Sequence, residues 1–246
     1  MSRPPLADIR RKIDALDAEL CALLAARARL VADVMRAKTG DAAASPMRPE
    51  RETQKLAALM AWHANAAPPF PVAGVLAMWR EIIGLALAQE GGVSVVAPAE
   101  AMLAARVHFG ASLAYETAGD AQQACARADV GSIAVLPLAD DAVGALVRHR
   151  EAGSAAVVFA TLPLLGAPQA VCYGDVPLAS VGDDDVTLMA HSAAVESGAP
   201  IFAGEEFTLI EHAGFAAPDA PPVDDAVYLG AYGRLPVLDA KARSDG

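Results

Sequence analysis

The chain has 246 residues, of which 54% are hydrophobic and only 5% aromatic, with a net charge of −11. That length can bury the core of one large or two small domains, and the acidity argues against nucleic-acid binding. No uninterrupted apolar run of 18 residues occurs, and the start MSRPPLADIRR holds no apolar leader segment, so a soluble, cytoplasmic protein that does not engage a membrane is expected.

The charge is unevenly spread. Residues 1–90 hold 12 Lys+Arg against 10 Asp+Glu, and residues 91–246 hold 7 against 20. A site for an anionic ligand therefore belongs in the first part.

In IRRKIDALDAELCALLAARARLVADVMRAK, apolar residues recur at three-and-four spacing from Leu6 to Val34, which predicts one amphipathic helix of about 30 residues ending at Gly40. At about 100° per residue, Arg27, Val31, Val34 and Lys38 share a narrow sector, with the two cations about 16 Å apart along the axis. Both can lean into one pocket between them, or both can snorkel to water from the edge of the stripe. Arg10 lies about 25 Å up the helix from Arg27, out of reach of that pocket within one helix, but an antiparallel copy in a symmetric dimer can bring it there. A second helix is predicted from Pro49 to about Asn65, and PVAGVLAMWREIIGLALAQE forms a third, ended by Gly91-Gly92. One long and two shorter helices make a poor core alone, so dimerisation is expected.

From Val93 short apolar runs predict strands: VSVVA, SIAVLPL, AAVVFATLPLL, VTLMA, EFTLIEHAGF and AVYLGAY, with helical AMLAARVHF and DAQQACARA between the early ones. The fold class is thus α plus α/β: residues 1–92 helical, 93–240 a smaller α/β domain, 241–246 a frayed tail. Cys21, Cys125 and Cys172 have no metal or disulfide spacing and read as buried small hydrophobes. His63, His108, His149, His191 and His212 are scattered, and Asp183 to Asp185 read as a solvated turn, so no metal site or triad is expected.

The first-helix sequence, followed by RPERE and WREIIGLALAQ, resembles the all-helical class of chorismate mutases found at the N-terminus of bifunctional chorismate mutase/prephenate dehydratase proteins. The resemblance covers about residues 5–90. It implies an intertwined helical homodimer that converts chorismate to prephenate in one pericyclic step, without cofactor or metal. The protein then acts by holding the reactive conformer and stabilising charge on the ether oxygen as the C–O bond breaks. By similarity, Arg27 and the partner's Arg10 bind the carboxylates, Lys38 donates to a carboxylate and the ether oxygen, Glu52 holds the ring hydroxyl and Arg51 adds positive charge. Arg48 stands where many relatives have Asp, at a position expected to offer mainly a backbone N–H. An ungapped match puts Ala86 where some relatives have Ser, and Glu90 where they have the Gln that donates to the ether oxygen. A protonated Glu donates and an ionised one does not, so with Glu90 in this role activity falls as pH rises. A slip of one residue makes Gln89 the donor instead.

Residues 93–150 weakly resemble the first lobe of prephenate dehydratase. The Val-Pro-Ile-Glu-Asn-Ser motif is reduced to VLPLADD, however, and Thr161 is followed by Leu162 and Pro163 where a Thr-Arg-Phe motif belongs. GDDDVTLMA, EFTLIEHAGF and AVYLGAY resemble strands of the ACT domain, without its Glu-Ser-Arg-Pro ligand motif. The resemblance therefore implies a shortened, degenerate remnant with no dehydratase activity. Two other readings stand beside the mutase: an isochorismate pyruvate lyase-like enzyme on the same scaffold, and a non-enzymatic dimeric regulator that binds an amino acid. Retention of Arg27, Lys38 and Glu52 weighs against the regulator, because a pure dimer seam gains from apolar residues there.

Overall fold

The computed structural model describes residues 5–37, 46–128, 131–192 and 200–236. Three helices come first: α1 (Leu6–Ala37), α2 (Pro49–Ala66) and α3 (Val72–Glu90). Lys38 and Gly40 lie outside the described residues, as does the expected tail. Pro49 opens α2 at a position whose N–H needs no partner within the helix. Ala67, in the left-handed region at φ 42°, closes it by donating to the His63 carbonyl. Gly91 follows α3, and its N–H closes the last turn on Leu87.

After α3 the chain alternates: β1 (Ser94–Pro98), α4 (Met102–Phe109), β2 (Ala114–Ala118), α5 (Ala121–Ala128), β3 (Ser132–Pro137), α6 (Asp140–Glu151) and β4 (Val157–Leu162). It ends in strands: β5 (Ala170–Gly174), β6 (Asp185–His191), β7 (Pro200–Ala203), β8 (Thr208–Ala213) and β9 (Val227–Gly233). All nine join one sheet in the order β2-β1-β3-β5-β4-β9-β6-β8-β7. A single mixed sheet with helices fits the expected α/β domain. Strands from both regions meet where β9 lies parallel to β4, with Val158 opposite Gly230. A Cβ at position 230 would overlap the Val158 backbone, so the absence of a side chain is what lets the two strands close.

Alternation along the strands sorts the core onto two faces. Val95, Ala97, Ile133, Val135 and Phe159 pack with buried residues of α2, α3 and α4, including Leu56, Val75, Leu76 and Phe109. Val96, Ala134, Leu136, Val158 and Leu229 pack with Ala124 of α5 and Leu146 of α6 on the other side. Burial on both faces is why these strands read as continuous apolar runs.

The chain divides into two compact units, residues 1–44 and 45–246. Thus α2 and α3 share a unit with the sheet, although the element type changes at residue 92. The reason is local to α3. Gly84 lets the Phe109 carbonyl come closer than any Cβ would allow, the Arg80 Nε donates to the His108 carbonyl, and Glu81 accepts from the Ala111 N–H at 3.0 Å. The core of α2 and α3 is therefore completed by the α/β part. Among the described helices α3 alone is long and apolar enough to cross a membrane, yet Leu76, Arg80, Ile83 and Leu87 are buried in this packing.

In the first unit, α1 has no buried residue. Leu16 is 59% exposed, Leu23 67% and Leu30 64%, so its apolar stripe is uncovered along its length. Cys21 is exposed with it, against expectation, whereas Cys125 and Cys172 are buried. Burial pushes the Cys172 thiol pKa far up.

Two further expectations need correcting. Asp183 and Asp184 are exposed, but Asp185 is buried and accepts from the Ser180 hydroxyl and from the Val181 and Gly182 N–H groups. The histidines are not all scattered: His191 and His212, on adjacent strands, place their Nε2 atoms 3.3 Å apart. No cluster of three or more metal-type ligands occurs among the described residues.

Candidate functional site

On α1, Arg10 and Arg27 are both exposed. Their separation of seventeen positions corresponds to about 25 Å of helix rise. Lys38 is outside the described residues.

The remaining predicted residues lie in the second unit. Arg48 immediately precedes α2, and its carbonyl accepts from the N–H groups of Arg51 (3.0 Å) and Glu52 (3.1 Å). Its Nη1 donates to the Met47 carbonyl at 3.1 Å. It offers no side-chain cap, so the first turn is held by Pro49 and by Glu50 and Glu52, whose charge suits a helix N-terminus. Arg51 is exposed. Ala86 and Glu90 are both half-buried and four residues apart on one face of α3, while Gln89 is exposed.

Glu52 is the predicted residue for which the structure specifies a strong partner. Its carboxylate accepts from the Nη1 of Arg80 at 2.6 Å, with the Glu52 side chain 14% exposed and that of Arg80 4%. One guanidinium thereby joins three elements, from α3 to Glu52 on α2 and to the end of α4. Charge-assisted contacts of this kind are among the stronger protein hydrogen bonds, and removing one partner from a buried pair strands the other charge. The Arg80 guanidinium carbon also lies 5.8 Å from the centre of the Phe109 ring.

Arg80 and Glu52 line a cavity of about 580 Å³ between α2, α3 and the C-terminal ends of β4 and β9. Those two strands are parallel and so end on the same side, where open α/β sheets commonly present ligand crevices. On the opposite wall Glu211 accepts from the Tyr232 hydroxyl at 2.6 Å and pairs with Arg234. Burial pushes the Tyr232 pKa up, against a smaller opposing effect of a hydrogen bond from Thr161. His108, also on the wall, is buried, and burial followed by the nearby Arg80 charge holds its pKa well below the ordinary value of 6.5.

Sequence reasoning passed over Arg80, His108, Glu211 and Tyr232. Arg80 left a signal, since it interrupts the stripe Leu76, Ile83, Leu87 at helical spacing, where a cation is buried only with a partner. Nothing local marks Glu211 and Tyr232. They meet because β8 and β9 flank β6.

An N-terminal region of three helices thus carries spaced cations and a carboxylate, with an acidic mixed sheet following. Residues 9–91, about a third of the chain, match the family model described as chorismate mutase type II. No curated protein and no solved structure matches the chain.

Proposed function

We propose that the protein is a chorismate mutase that rearranges chorismate to prephenate in the biosynthesis of phenylalanine or tyrosine, acting as a cytoplasmic homodimer. The observation that carries this reading is the match over residues 9–91, which spans Arg10, Arg27, Lys38, Arg51, Glu52 and the third-helix pair Ala86 and Glu90.

The chemistry asks little of acids, bases or metals. Chorismate must be held with its two reacting carbons in contact while negative charge gathers on the ether oxygen. Two guanidiniums, Arg27 and the partner's Arg10, hold the carboxylates in the reactive conformer. Lys38 donates to a carboxylate and to the ether oxygen, and Glu90 or Gln89 supplies a second donor there. Glu52 accepts from the ring hydroxyl, its position fixed by Arg80, and Arg51 lowers the cost of bringing a dianion in. The uncovered stripe of α1 supports dimer formation, because a stripe of that length has no reason to stay in water.

The deciding experiment follows chorismate consumption by the purified full chain, quantifying prephenate, phenylpyruvate and pyruvate. Prephenate as the sole product, at a rate reduced at least about 100-fold in Lys38→Ala, is the expected result, given what one positioned donor is worth. Pyruvate would make the protein a lyase, phenylpyruvate would mean the second unit dehydrates, and no turnover would leave a regulator.

A further inference from the structure

The cavity between α2, α3 and the strand ends holds polar atoms that the fold itself leaves without a use. Arg80 is 3% exposed and His108 5%. Of the Arg80 guanidinium, Nε serves the His108 carbonyl and Nη1 serves Glu52, but Nη2 is buried with no partner among the described residues. The Nδ1 of His108 is buried and unpartnered in the same way. An unmet guanidinium donor in an interior costs free energy on the order of 1–3 kcal/mol, so Arg80 Nη2 calls for an acceptor supplied from outside the chain, while Nδ1 of the neutral His108 ring adds a second polar atom that donates or accepts according to its tautomer.

The other wall groups decide the kind of acceptor. Glu52 is engaged by Arg80, and Glu211 by Arg234 and Tyr232, so the carboxylates present are paired but still charged and do not ask for a cation. They do repel a multiply charged anion. A phosphate or a dicarboxylate would bring two or more charges against the free edge of Arg80, since Arg234, the other cation lining the cavity, is engaged by Glu211. A single carboxylate instead offers its oxygens to that edge at full charge-assisted strength. The rest of the wall is mainly apolar, with Leu56, Phe159, Leu164 and Leu165 beside the hydroxyls of Thr53 and Thr161, and about 580 Å³ accommodates a body the size of one substituted ring.

We propose that this cavity is a binding site for a small monocarboxylate with an apolar body, its carboxylate on the free edge of Arg80 and its body against Leu56, Phe159 and Leu165. Of the residues proposed to hold the chorismate dianion, Glu52 is the one that lines this cavity. Glu52 keeps its Nη1 bond when the carboxylate takes Nη2. The occupant thus adds to the Arg80–Glu52 pair and does not break it.

The test is isothermal titration of the full chain with three probes of the same body: benzoate, benzamide and isophthalate. Benzoate is expected to bind saturably and at least about tenfold tighter than either of the others, since only it matches one free cationic edge. Arg80→Gln, checked for native circular dichroism, is expected to abolish that preference, while Arg27→Ala is expected to keep it. Equal binding of benzoate and benzamide, no benzoate binding at millimolar concentration, or benzoate binding lost in Arg27→Ala and kept in Arg80→Gln would each overturn the proposal, the last by placing the carboxylate on α1. If Arg80→Gln does not fold, Ala160→Leu decides, because it narrows the cavity from β4 without touching either ion pair. A tenfold loss of benzoate affinity in that variant supports the site, and unchanged affinity removes it. None of these readouts depends on turnover of chorismate.

Discussion

His108 shows what burial of one titratable side chain does to the whole protein. Its pKa lies below the ordinary value in the fold because burial, and then the Arg80 charge, disfavour the imidazolium. Below about pH 6.5 the unfolded chain therefore binds a proton that the folded chain refuses, and stability falls as pH falls. His191 acts with the same sign, its pKa lowered by burial and then by His212. Denaturant midpoints measured from pH 7.5 to 5.0 are expected to drop, with a slope of at most about 1.4 kcal/mol per pH unit for each group. The slope should be shallower in His108→Gln, and an identical slope would dissociate His108 from the effect. Glu90 offers a second test at this scale. If it serves the ether oxygen in the proposed reaction, Glu90→Ala lowers the rate of prephenate formation about 100-fold, whereas an unchanged rate transfers the role to Gln89. Arg80 marks the limit of what residues reveal singly. A cation within an apolar stripe was visible in the sequence, but its partners were not, because Glu52 and the His108 carbonyl are each 28 positions away.

At the scale of elements, the helices α2 and α3 were legible nearly to the residue because punctuation is local: Pro49 opens one, Pro68 and Pro69 close it, and Gly91 ends the next. Most strands were legible as apolar runs. Not legible were β2, whose AYETA is largely exposed and so lacks the apolar signature, the short buried β5 (AVCYG), and the short edge strand β7. α6 carries Asp140 and Asp141 in its first turn and Arg148 and Arg150 in its last, a charge pattern that suits a helix but was masked by the strand resemblance around it. The strand order was out of reach, since the join between β4 and β9 depends on an approach only glycine permits. Gly230→Ala is expected to destabilise the second unit by about 1–3 kcal/mol through overpacking, read as a lowered urea midpoint with unchanged slope. A midpoint within error of the parent would mean the two strands have slack.

For the molecule as a whole, the decisive contrast is between a well-filled second unit and a first unit with an uncovered helix. Leu20, Leu23, Leu24 and Leu30 on α1 are exposed, and so are Trp62 on α2, Phe70 in the connection and Met78 on α3, which border a hollow of about 280 Å³. Each Leu covered on association contributes about 1.5–3 kcal/mol. Two-chain assembly therefore predicts a melting temperature that rises with protein concentration, with Leu20→Asp shifting the sedimentation profile to the monomer. A concentration-independent melt together with a monomeric parent would remove the dimer, and with it the role of the partner's Arg10. The residues proposed for chorismate could be drawn from the first ninety because spacing along one helix is a ruler, whereas the cavity was not legible, because it is assembled from α2, α3, α4 and four strands.

The position of β9 has a consequence for how the protein is made. Its residues are the last of the described strands to leave the ribosome, yet β9 sits between β4 and β6 in the middle of the sheet. Until Val227–Gly233 emerges, β4 and β6 each present a bare edge of backbone donors and acceptors, a surface open to pairing with another nascent chain. Synthesis of this protein thus has a vulnerable interval that closes only when that strand is inserted.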